Sequence, residues 1–133
     1  MRNLNLRQFL LLGGIILVVL GVAGLTVLGP TPAASLLGDF FWLDGTENVA
    51  HLLFGVVALA AYYMLKDPQM TKILVILVGV VALVAALAGF MNGSAPVPNV
   101  GITNLENPAD NILHLVVAAW AFYVAFMGDK KMA

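Results

Sequence analysis

Two short stretches place ionisable and amide side chains where an apolar chain has little use for them. One reads Glu47-Asn-Val-Ala-His51-Leu and the other Asp110-Asn-Ile-Leu-His114-Leu. In each, a carboxylate stands four residues before a histidine and an asparagine stands three before it, spacings that put all three on one helix face. Such sets can do several kinds of chemistry. Glu47, His51, Asp110 and His114 form two carboxylate-imidazole pairs able to furnish a four-coordinate nitrogen and oxygen site for zinc, iron or manganese. His51 and His114 alone suit the axial positions of a tetrapyrrole, whether haem or a chlorophyll-type pigment. Ionisable groups inside a membrane span are also candidates for moving a proton or a solute. The plainest role is hydrogen bonding between helices. There the polar cluster of Glu47, Asn48, Asp110 and Asn111 with the two histidines sets helix register, at about 0.6 kcal/mol per group.

The elements that must position these residues are apolar runs. Of 133 residues, 62% are hydrophobic and 10% charged, against roughly 25% charged in soluble domains. A span needs about 20 residues to cross a hydrocarbon core of about 30 Å. Four spans are expected, at about 9–28, 45–65, 73–91 and 108–127, in a single membrane domain over 1–133. The second and fourth reach full length only by including their polar first turns. Asp44-Gly-Thr-Glu47 and Asn107-Pro-Ala-Asp110 each read as a capping side chain followed three residues on by a carboxylate, with Pro108 at the first helical position. Arg2 and Arg7 precede the first run as in a signal peptide, but the run is too long for a typical h-region and reads as a span.

Charge gives orientation. Arg2, Arg7, Lys66, Lys72, Lys130 and Lys131 fall in the tails or the middle loop, whereas Asp39, Asp44, Glu47, Glu106 and Asp110 fall toward the opposite side. The positive-inside rule then places both termini in the cytoplasm. Trp42 is expected at the outer interface, with Tyr62, Tyr63, Tyr123 and Phe126 at the inner one. The absence of cysteine removes disulfides and thiolate sites, and a net charge of -1 offers no basic face for nucleic acid.

Aligning His51 with His114 pairs Glu47 with Asp110 and Asn48 with Asn111. Val22-Ala-Gly-Leu25 likewise resembles Leu87-Ala-Gly-Phe90. The expected fold is all-α, an integral membrane four-helix bundle built from two parallel repeats of a helical hairpin, about 9–65 and 73–127. Gly21, Gly24 and Gly89 then come to the depth of the histidines, as either close-packing positions or room beside a tetrapyrrole. Against haem, the acidic side has no lysine or arginine for propionates; esterified pigments lack that difficulty.

Asn48-Val-Ala-His51-Leu and Ala109-Asp-Asn-Ile-Leu-His114-Leu resemble elements in the second and fourth helices of a four-span bacterial membrane family catalogued as domain of unknown function 4383. The resemblance covers most of the chain, to about Met127. It implies a four-helix fold and a bacterial membrane location, and no activity.

No enzyme is expected, since Ser35 and Ser94 lie on loops with no histidine to spare as a base. Below the cluster the spans hold little polarity beyond Tyr62, Tyr63 and Trp120, so a continuous proton relay is missing. The expected function is that of a small membrane protein without catalytic machinery, an accessory, structural or assembly subunit of a larger membrane complex or a homo-oligomer. Its partners are then the lipid bilayer and other membrane subunits or itself. The alternative is a cofactor-binding protein using His51 and His114 for a divalent metal or a tetrapyrrole.

Overall fold

The computed structural model describes residues 2–127 and is all-helical there. Helix α1 spans Arg2–Thr26, α2 Gly45–Met64, α3 Pro68–Met91 and α4 Ala109–Phe122, the last continued by a wider π turn over Tyr123–Met127. Four helical stretches are long and apolar enough to cross a membrane, Asn5–Thr26, Gly45–Met64, Pro68–Met91 and Ala109–Met127. Among the described residues there is no strand. Lys130, Lys131 and the side chain of Arg2, which carry part of the charge asymmetry, lie outside the described residues.

α1 packs along α2 and α3 along α4, and α1 also meets α3 and the final turn of α4. This leaves two ends. At one, which we call the turn end, residues 65–67 join α2 to α3. There Arg7 Nη1 donates to the Leu65 carbonyl at 3.2 Å and its guanidinium lies 4.6 Å from the Tyr62 ring centroid. Phe9 meets Trp120 edge-on at 4.5 Å, and Leu6, Leu10, Val75, Ala121 and Ala125 complete a dry core. The other, the loop end, carries residues 27–44 and 92–108.

Large aliphatic side chains face outward: Val19, Val56, Val84 and Val116, one on each helix, are all exposed. The inside is small and partly polar, and Asn48, Asn111 and Thr71 are among its largest fully buried side chains. A soluble bundle would show the reverse distribution, because water would reward burying the valines. In lipid, association rests on close packing and hydrogen bonds instead. Glycine makes the packing possible. Gly14 lies against Leu59 and the Gly55 carbonyl, and Gly21 lies against Leu52. Gly24 admits the Asn48 carboxamide, and Gly89 admits that of Asn111 in the same manner.

The first predicted cap is present in full. Asp44 Oδ1 accepts from the Glu47 N–H at 3.0 Å and Glu47 Oε2 from the Asp44 N–H at 3.1 Å. The second differs from the expectation. Pro108 itself occupies the cap position and has no side chain to accept with. Asn107 Oδ1 instead accepts from Asn111 Nδ2 at 3.2 Å, and Asp110 Oδ2 turns back to the Glu106 N–H at 3.2 Å. Trp42, expected at the outer interface, is buried with Phe41 and Leu43 in the first loop.

The glycine contacts generate a test. Gly24→Ala and Gly89→Ala put a methyl where an asparagine carboxamide sits, and each is expected to destabilise the protein by roughly 1–3 kcal/mol. Gly13→Ala, which meets nothing within 4 Å, should be neutral or mildly stabilising. Thermal melts of the three variants in detergent check the contrast.

A candidate functional site at the loop end

The site is built from the first turns of α2 and α4 and from the two loops above them. Asp44 locks it together. While Oδ1 caps α2, Oδ2 accepts from Thr103 Oγ1 at 2.6 Å and from the Asn104 N–H at 2.7 Å. Asn99 shapes the second loop from within: its Oδ1 accepts from the Leu105 N–H at 2.9 Å and its Nδ2 donates to the Leu105 carbonyl at 2.8 Å. The segment Asn104-Leu105-Glu106 is thereby buried over the helix ends.

Glu106 then meets the two sequence-predicted carboxylates. Glu47, Glu106 and Asp110 each offer one oxygen, and these oxygens all lie within 4.8 Å of one another. All three residues are buried, at 5%, 6% and 2% exposure. Each has a donor on one oxygen: the Asp44 N–H on Glu47 Oε2, Asn104 Nδ2 at 3.4 Å on Glu106 Oε1, and the Glu106 N–H on Asp110 Oδ2. Glu47 Oε1 and Glu106 Oε2 are buried without a hydrogen-bond partner. The described basic side chains, Arg7, Lys66 and Lys72, belong to the opposite end.

The histidines sit one turn farther into the bundle, both partly buried. His114 Nδ1 lies 2.9 Å from the Asp110 carbonyl, which can only accept, so this nitrogen carries the proton. His114 is thus oriented by main chain. His51 Nδ1 is buried without a partner, and the ring lies within electrostatic reach of His114. Asn48 Nδ2 donates to the Leu43 carbonyl at 3.1 Å, and the Oδ1 atoms of Asn48 and Asn111 rest in their glycine slots without a donor.

Glu47 and Asp110 therefore come together, and the three-carboxylate group contains neither histidine. Glu106 was not singled out in the sequence. The available signal was its place four residues before Asp110, on a loop whose Asn99 and Asn104 can fold it inward. Burial first, then the neighbouring Asp110 carboxyl, push the Glu106 carboxyl from an ordinary 4.5 up to about 9.

Fold and site together define an all-helical protein with four membrane-length helices and a buried acidic and imidazole cluster at one end. The chain belongs to the family described as Domain of unknown function (DUF4383), which matches residues 7–127. No curated protein and no solved structure matches it.

The raised pKa of Glu106 has a definite consequence for stability. Between pH 4.5 and 9 the folded protein holds a proton on Glu106 that the unfolded chain has released. The stabilisation is complete below the unfolded value and is lost as pH rises toward the folded one. In chelator, melting temperature should fall as pH climbs through this window, and Glu106→Gln should flatten the decline. An unchanged slope in that variant contradicts the assignment.

Proposed function

We propose that this is a non-enzymatic integral membrane protein that works by lateral contact within the bilayer, as an accessory, structural or assembly subunit of a larger membrane complex or as a homo-oligomer. The observation that carries the reading is where its polar groups go. The loops that could meet a soluble partner fold onto each other through Asp44, Thr103 and Asn104, while each helix turns large aliphatic side chains outward. A surface of this kind recognises lipid and other spans.

The matched contacts Gly24 with Asn48 and Gly89 with Asn111 support two parallel copies of one hairpin, α1–α2 and α3–α4. They also give the asparagines a structural role and fill space beside glycines that a tetrapyrrole ring would need. His51 Nδ1, buried and unpartnered, is what favours the second reading, a metal or tetrapyrrole held by His51 and His114. The segregation of Arg7, Lys66 and Lys72 from Asp39, Asp44 and Glu106 supports a turn end in the cytoplasm and loops outside, across a bacterial cytoplasmic membrane.

Mild extraction from native membranes followed by native electrophoresis and mass spectrometry tests the function. A species larger than the monomer, containing this chain with itself or another membrane subunit, is expected. A strictly monomeric protein carrying a visible chromophore or bound metal, lost in both His51→Gln and His51→Leu while the protein stays folded, would support the histidine-ligand reading instead. For orientation, single cysteines at exposed Leu36 and Gln69 should differ, with only Leu36→Cys labelled by an impermeant thiol reagent on intact cells. Labelling confined to Gln69→Cys reverses the topology.

A further inference from the structure

We propose that Glu47, Glu106 and Asp110 form a binding site for one hard divalent cation, of the calcium or manganese class, that ties the first turns of α2 and α4 to the second loop. The proposal does not depend on the lateral-contact reading, and it uses a ligand set distinct from the histidine pairs.

Three observations carry it. The first is geometric: the three oxygens lie within 4.8 Å of one another, and oxygens sharing a calcium ion at roughly 2.3–2.6 Å are at most about 5 Å apart. The second is independent of that clustering. Glu47 Oε1 and Glu106 Oε2 belong to side chains more than nine-tenths buried, and neither atom has a hydrogen-bond partner. Buried acceptors are nearly always satisfied, and an orphaned one marks a place for water or an ion. Because a second oxygen of each glutamate is already held by a donor, Asp44 N–H or Asn104 Nδ2, the carboxylates are oriented with an oxygen to spare. The third is access. A hollow between the loops, lined in part by Asp39, Trp42, Asn99, Asn104 and Glu106, leads from the surface to one of the proposed ligands.

The donor chemistry selects the ion. An all-carboxylate oxygen set suits hard cations, whereas zinc and copper are drawn to imidazole or thiolate. Among the described loop-end residues no lysine or arginine pairs with the three carboxyl groups, and a divalent ion displaces their protons and offsets the charge they then carry. Protein oxygens number too few for calcium's six to eight ligands, and water entering from the hollow supplies the remainder.

The test uses the full-length protein in detergent micelles, stripped with chelator and titrated with CaCl2 or MnCl2 at constant ionic strength near neutral pH. Saturable binding is expected at or below about 1 mM, the weak end for protein calcium sites, with a rise in melting temperature that follows the same isotherm. Manganese binding is read directly from loss of the free-ion magnetic resonance signal. Glu106→Gln, which keeps shape and removes a carboxyl able to ionise onto the ion, should weaken affinity at least about tenfold; Asp67→Asn, an exposed acid at the turn end, should leave it unchanged. If neither ion binds the folded wild-type protein in that range, or if binding persists undiminished in Glu106→Gln, the proposal is wrong. Should Glu106→Gln fail to fold, Asp110→Asn read by the same manganese titration takes its place, with the same loss of affinity expected and undiminished binding again overturning the proposal.

Discussion

The loop end depends on the two oxygens of one carboxylate. Asp44 Oδ1 terminates α2, and Asp44 Oδ2 grips Thr103 and Asn104 of the second loop. Everything that makes this end unusual lies downstream of that grip. It sets Asn104 where it can hold Glu106, and Glu106 where it meets Glu47 and Asp110. A carboxylate accepting from backbone N–H groups at a helix start is favoured both by hydrogen bonding and by the positive end of the helix dipole. The interaction is therefore strong enough to organise its surroundings, and Asp44 needs no cation of its own.

Deeper in the bundle a different constraint governs. Without water to drive apolar surfaces together, helices in lipid gain by close approach. Glycine on one helix opposite asparagine on the next gives that approach a register, with the Asn48 carboxamide seated at Gly24 and that of Asn111 at Gly89. The carboxamides are the keys and the missing side chains are the slots. At the turn end the register is fixed by bulk instead, through Phe9, Leu10 and Trp120.

The four spans were legible in the sequence because lipid tolerates little besides long apolar runs there. Glu47, Asp110 and the histidines stood out for the same reason, as ionisable groups against that background. Glu106 did not, because an acid in a polar loop is ordinary and only the fold of Asn99 and Asn104 shows it to be buried. The cap of α4 was misplaced for a related reason. The pattern Asn107-Pro-Ala-Asp110 fits a capping box, yet Asn107 is engaged with Asn111 and Asp110 with Glu106. Local pattern cannot reveal a competing partner supplied by tertiary structure. The glycines at the depth of the histidines were recognised, but that the Asn48 and Asn111 carboxamides lie against Gly24 and Gly89 depends on side-chain rotamers that no local pattern fixes.

The grip of Asp44 on the second loop also has a meaning for how the chain is made. Thr103 lies 59 residues after Asp44, so the first hairpin is synthesised before the groups that cover its acidic end exist. The lid over the acidic end can therefore close only once residues 99–106 have been made, so it is the later half of the chain that seals a cluster begun in the earlier half.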